Sequence, residues 1–181
     1  MVKGSDMTDT GLFVGRFQPF HLGHLSVIKH ILEKVDPLII VIGSSQYSHT
    51  LENPFTGGER LTMLKLALDE AGIPPDRHLL IPIQDLNVHK LWVPHVVSQT
   101  PKFQTVFSNE PLTVALFLEA GFKVEAVPFF NREVYSATEI RRRMLGNQDW
   151  SSLVPKSVAL FIKKIEGDKR LQDLSGSDKV S

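Results

Sequence analysis

Five short apolar runs, each separated from the next by a stretch long enough for a helix, set the frame of this sequence. They occupy residues 12–15 (LFVG), 38–43 (LIIVIG), 78–83 (HLLIPI), 104–108 (QTVFS) and 123–127 (KVEAV). Their hydrophobicity is nearly continuous rather than alternating. That pattern predicts strands buried on both faces, as in a parallel sheet covered by helices.

The segments between the runs carry helix signals. Leu25, Ile28, Ile31 and Leu32 trace one helical face. Thr56 and Glu59 have capping-box spacing, Leu61, Leu64, Leu68 and Ala71 then form a stripe, and Gly72 suits the left-handed position that closes a helix. Residues 111–121 begin with proline and end with glycine, the asymmetry of a complete helix. Ser136 and Glu139 form a second capping box, predicting a helix through Met144, and a last helix is expected over residues 155–165. Strand and helix alternate throughout, so right-handed crossovers imply an α/β fold. It is a single domain on a Rossmann-like, doubly wound, five-stranded parallel sheet. Ligands of such a sheet lie outside the carboxyl ends of the strands, near the reversal in strand order.

Composition narrows the function classes. The expected domain covers residues 11–167, with a polar leader at 1–10 (Met7 being an alternative start) and a polar, flexible tail at 168–181. A formal net charge of zero argues against broad electrostatic capture of nucleic acid or of an anionic membrane. No apolar run approaches the ~20 residues of a membrane span. The leader lacks the apolar core of a signal peptide. Absence of cysteine removes disulfides, thiolate zinc sites and cysteine nucleophiles, and fits a reducing, cytoplasmic setting.

The unusual chemistry sits where the first strand should turn into the first helix, in "GRFQPFHLGH". Gly15 ends the strand and Gly23 lies at the helix start, where free amides and the helix dipole make an anion site. His21 and His24 are three apart and share a helical face. Imidazoles donate to phosphate oxygens, and Arg16 adds a planar fork for phosphate. Plainer readings compete. Either histidine alone serves as a cap or surface residue, and a histidine pair binds zinc given a third ligand. His30, His49, His78, His89 and His95 show no ligand-like spacing to the pair, and no metal-binding residue is assigned. Phe17 and Phe20 read as core plugs in preference to base-stacking groups. Neither a Gly-x-Gly-x-x-Gly fingerprint nor a P-loop follows the first strand.

A second anion pocket is expected after the fifth strand. There Ser136 caps a helix whose first amides point outward, and the Thr138 hydroxyl lies in the first turn. Arg141, Arg142 and Arg143 are splayed by ~100° steps and cannot all reach one phosphate. Arg141 is expected to face the site, and the other two to face solvent.

"FHLGH" resembles the H-x-G-H signature of the nucleotidyltransferase superfamily, and "GRFQPFHLGH" resembles the opening of archaeal-type nicotinamide-nucleotide adenylyltransferases. "YSATEIRRRM" resembles the superfamily's late (I)SSTxxR signature, with Ser136, Thr138 and Arg141 in place. Tyr135 and Ala137 depart from it, losing one hydroxyl. The resemblance covers most of residues 11–165. It implies attack by a nucleotide 5′-phosphate on the α-phosphorus of ATP, with pyrophosphate leaving and Mg2+ carried in on ATP. His24 would meet the α-phosphate and His21 the triphosphate. Arg16 and Arg141 would neutralise charge, and Ser136 and Thr138 would hold the pyrophosphate portion.

For the acceptor, the loop from Ile42 to Arg60 and the segment from Pro82 to Val93 resemble the nicotinamide branch. The resemblance implies nicotinamide mononucleotide, with Trp92 stacking on the pyridine ring and Asp85 beside it, and acceptance of the nicotinate analogue too. It also implies a homo-oligomer, commonly a hexamer. Arg60 either reaches phosphate or pairs with an acid, without a catalytic part, and His49 reads as a surface histidine. Asn53, Pro54 and Phe55 read as a structural turn. Other acceptors, such as phosphopantetheine or FMN, share the histidine turn. A nucleotide-binding sensor without transfer activity is the alternative of a different class.

Overall fold

The computed structural model describes residues 9–128, 130 and 133–177. Residues 1–8 of the expected leader, with Met7, and residues 178–181 of the expected tail lie outside them. Five parallel strands form one sheet: β1 (Gly11–Gly15), β2 (Leu38–Ile42), β3 (His78–Pro82), β4 (Thr105–Phe107) and β5 (Lys123–Glu125). Their order is β3-β2-β1-β4-β5. The chain therefore winds outward in one direction from β1 to β3 and in the other through β4 and β5. The reversal in strand order lies between β1 and β4, which pair in register from Gly11 and Thr105 to Phe13 and Phe107.

Seven helices fill the connections and the carboxyl-terminal part of the described chain: α1 (Leu22–Ile31), α2 (Gly57–Glu70), α3 (Trp92–Gln99), α4 (Pro111–Glu119), α5 (Ala137–Leu145), α6 (Lys156–Lys164) and α7 (Gly167–Ser177). Successive strand residues point to opposite faces, so β2 feeds two separate cores. Ile39 and Val41 join Leu12, Val106 and the α3–α4 residues Val93, Val96 and Phe117 on one side. Leu38, Ile40 and Ile42 join Ile28, Met63, Ile140, Val158 and Leu171 on the other. Burial on both faces thus holds for the central strands. It fails at the edge strand β3, where Leu79 is exposed.

The Thr56–Glu59 capping box forms reciprocally, and Gly72 and Gly121 close α2 and α4 at positive φ. The second expected box is only half made. Ser136 accepts the Glu139 N–H, but the Glu139 carboxylate turns away to Arg142 and Arg143. The segment from residue 168 is not the loose tail that its polarity suggests. α7 packs on α5, buries Leu171 completely and sends Arg170 in two hydrogen bonds of 2.8 Å to Glu59. One buried leucine and one bidentate ion pair hold a helix that composition alone disfavours. Among the described residues no helix is long and apolar enough to cross a membrane.

Candidate functional site

The turn after β1 is shaped by two phenylalanines. Phe17 adopts a positive φ of 52°, and its ring folds back over Gly15, where an added Cβ would meet it at 2.5 Å. Phe17 and Phe20 are both buried, as core plugs, and they wall the His24 ring at centroid distances of 4.9 and 5.5 Å. His21 then caps α1 in a form the sequence did not announce. Its Nδ1 accepts the His24 backbone N–H at 3.2 Å, while the His24 Nδ1 accepts the His21 backbone N–H at 3.3 Å. The two imidazoles take the places of serine and glutamate in a capping box, and their rings stack 3.5 Å apart.

This geometry fixes the protons. With Nδ1 an acceptor in both rings, each neutral imidazole carries its hydrogen on Nε2, the nitrogen left for the cleft. Burial pushes the His21 pKa down to about 3. His24 is also driven well down, by burial first and then by the charge of His21. At neutral pH the pair offers two Nε2–H donors and no net charge.

Gln18 connects this turn to the rest of the site. Its side chain exchanges two hydrogen bonds with the Phe55 backbone, and its carbonyl accepts the Arg141 guanidinium at 2.8 Å. Arg141 thereby faces the histidine turn, as expected, while Arg142 and Arg143 pair with Glu139. Gly23 allows the two half-sites to meet. A Cβ there would lie 3.0 Å from both the His21 Nδ1 and the Tyr135 Cβ. A cleft of about 400 Å³ results, lined by Arg16, His21, Gly23, His24, Ser136, Thr138 and Arg141 among others. Burial and the nearby Arg16 both depress the Arg141 pKa, while Glu52 acts the other way.

A second cleft, of about 620 Å³, opens over the ends of β1 and β2 and contains Gly15, Arg16, Ser44, Tyr47, Asp85 and Trp92. Both volumes fall in the ordinary range for small-molecule sites, ~300–1,000 Å³. Asp85 is held by the backbone N–H and hydroxyl of Ser44, and Gln46 clamps its backbone. Trp92 starts α3 and remains partly exposed. Arg16 and Glu110 line both clefts. Burial acts to raise the Glu110 pKa, but the amides of Thr113 and Leu112, which its carboxylate caps, bring it down overall. Sequence reasoning missed both Gln18 and Glu110, though Glu110 directly before Pro111 is a legible cap.

Arg60 neither reaches a cleft nor pairs with an acid. It is fully buried and donates to backbone carbonyls instead. His49 is exposed, and the turn at Asn53 closes through Thr50, as expected. Among the described residues no group of three or more His, Asp or Glu side chains converges as a cation cage.

Residues 12–143 match the cytidylyltransferase-like family. A nicotinamide-nucleotide adenylyltransferase of Saccharolobus solfataricus is 53% identical over 93% of this chain and 98% of its own. One of Archaeoglobus fulgidus is 54% identical over 92% and 97%. A crystal structure of a bifunctional NMN adenylyltransferase/ADP ribose pyrophosphatase from Francisella tularensis, complexed with AMP and a Mn ion, superposes with a TM-score of 0.79 at 25% identity. That superposition covers 96% of this chain but only 53% of the other, so this chain spans about half of the bifunctional protein.

Proposed function

The chain belongs to the cytidylyltransferase-like family and, with its half-identical relatives, to the nicotinamide-nucleotide adenylyltransferases; we propose that its two clefts receive ATP and nicotinamide mononucleotide. The reaction transfers the adenylyl group of ATP to the mononucleotide, giving NAD and pyrophosphate. The observation that carries the assignment of the clefts is the sharing of Arg16, since two phosphates that must react have to meet at one cation.

ATP occupies the cleft between the histidine turn and α5, and the mononucleotide lies toward Trp92 and Asp85. An oxygen of the mononucleotide phosphate attacks the α-phosphorus. The bond from that phosphorus to the bridging oxygen breaks, and pyrophosphate departs with the electron pair. Such transfer demands positioning and charge stabilisation rather than covalent help. The Nε2–H groups of His21 and His24 donate to phosphoryl oxygens, Arg16 neutralises the α-phosphate, and Arg141 with Ser136 and Thr138 holds the departing pyrophosphate. Gly15 and Gly23 let the backbone come close. The donor set suits a divalent cation carried on the polyphosphate, with water completing its shell, so Mg2+ enters as part of the substrate. The bifunctional structural relative carries a Mn ion, a divalent cation of the same class. Trp92 stacks on the pyridine ring of either the nicotinamide or the nicotinate nucleotide.

Pyrophosphate release in the presence of ATP and Mg2+ tests this reading, with nicotinamide mononucleotide, nicotinate mononucleotide, FMN and phosphopantetheine supplied separately. Release is expected with the pyridine nucleotides, accompanied by NAD or its acid analogue. ATP binding with no release for any acceptor would point to a nucleotide sensor.

A further inference from the structure

Arg60 is a cation that the adenylyl-transfer mechanism leaves unused. Its side chain has no exposure to solvent, yet no carboxylate touches it. Buried charges are ordinarily paired, because desolvation is expensive. Here the guanidinium spends its donors on four carbonyls instead. Nη1 reaches Arg16 at 2.8 Å and Gly43 at 2.9 Å, Nη2 reaches Ser44 at 3.0 Å, and Nε reaches Thr56 at 3.3 Å. Burial lowers its pKa to about 10, which still leaves it charged at neutral pH.

The identity of the acceptors matters more than their number. Arg16 is the cation both clefts share, and its backbone carbonyl is fixed by Arg60. Ser44 grips the Asp85 carboxylate in the mononucleotide cleft, and its carbonyl is fixed by the same guanidinium. Thr56 starts α2, the helix that carries Arg60 itself. One planar fork therefore ties the ends of β1 and β2 to a single helix, directly behind the junction of the clefts. Only arginine has this reach, because a lysine ammonium cannot present divergent donors in a fixed plane.

We propose that Arg60 is a positioning residue that sets Arg16 and the Ser44–Asp85 pair at a fixed separation, so that the two substrates meet in line. Its charge also couples to the Asp85 carboxylate of the mononucleotide cleft, which favours the charged guanidinium against the burial that opposes it. The inference rests on the adenylyl-transfer reading, so wild-type NAD formation is measured alongside; its absence would discredit that reading rather than the role of Arg60.

Arg60→Lys keeps the charge and loses the fork. In the folded variant, turnover is expected to fall about a hundredfold, the cost of misplacing reacting groups by roughly an ångström. Binding of a nonhydrolysable ATP analogue, read by calorimetry, should change by less than about threefold, since ground-state contacts survive. Turnover within about twofold of wild type, or turnover and binding lost in parallel, would overturn the proposal. Should the variant fail to fold, nitrogen NMR of the wild-type guanidinium groups decides. The buried Arg60 resonances should shift on titration with the ATP analogue, and again with nicotinamide mononucleotide, while those of Arg170, which lines neither cleft, stay in place. Arg60 resonances indifferent to both substrates would overturn the role.

Discussion

His21 and His24 hold each other in place: each backbone N–H donates to the other ring's Nδ1, and the stacked rings line the cleft with Nε2 left to carry the hydrogen. The arrangement is stable only while both Nδ1 atoms are bare. Protonating either one sets an N–H against an N–H. The rings that cap α1 through Nδ1 are therefore the same rings that carry the Nε2–H donors.

Acid should undo this cap in a defined window. The His21 pKa is about 3 in the folded protein against 6.5 ordinarily, so between these values the unfolded chain binds more protons. The contribution of His21 is complete above about pH 6.5 and is lost as pH falls toward 3. Asparagine at the position keeps a capping acceptor that does not titrate. Urea melts across that range should show the wild type losing stability relative to His21→Asn; parallel curves would mean that the ring is not held neutral.

His24→Ala should lower turnover by about a hundredfold to a thousandfold, the range for losing one donor aimed at transition-state charge. ATP affinity should change by only a few-fold, because the developing charge is absent from the ground state. Steady-state rates set beside calorimetric binding check this, and an unchanged turnover would remove His24 from the reaction.

Trp92→Ala should raise the KM for nicotinamide mononucleotide by about tenfold to a hundredfold, as expected for ~1–3 kcal/mol of ring stacking. ATP binding should be nearly untouched, since Trp92 lines only the other cleft. Equal weakening of both substrates would make Trp92 a packing residue of α3.

Leu171→Ala should destabilise the fold by about 2–5 kcal/mol, the usual cost of truncating a leucine in a filled core. Chemical denaturation measures it. A change below about 0.5 kcal/mol, typical of surface positions, would mean that α7 is not docked in solution.

The parts of this protein that were legible in its sequence are local. The capping box at Thr56, the glycines closing α2 and α4, and the starts of α1 and α5 all lie within a few neighbouring residues. No side-chain cap marks the start of Trp92–Gln99, and its Pro94 sits in the first turn, where the missing N–H has no partner to lose. α7 was hidden for another reason. Its stability comes from Leu171 entering a core built elsewhere and from Arg170 meeting Glu59, 111 positions away. Separation in sequence also concealed Gln18, which joins Phe55 to Arg141, and Arg60, whose carbonyl partners leave no signature in side-chain chemistry. The histidine pair was half legible: its spacing showed a shared face, but not that the rings cap their own helix.

This protein is expected to supply no nucleophile, one substrate attacking the other directly over Arg16. Stereochemistry at the transferred phosphorus tests it. With a single diastereomer of ATP bearing sulfur on the α-phosphate, one in-line displacement should give the NAD analogue with inverted configuration. Retention would require two displacements through an adenylylated enzyme, and would contradict the account.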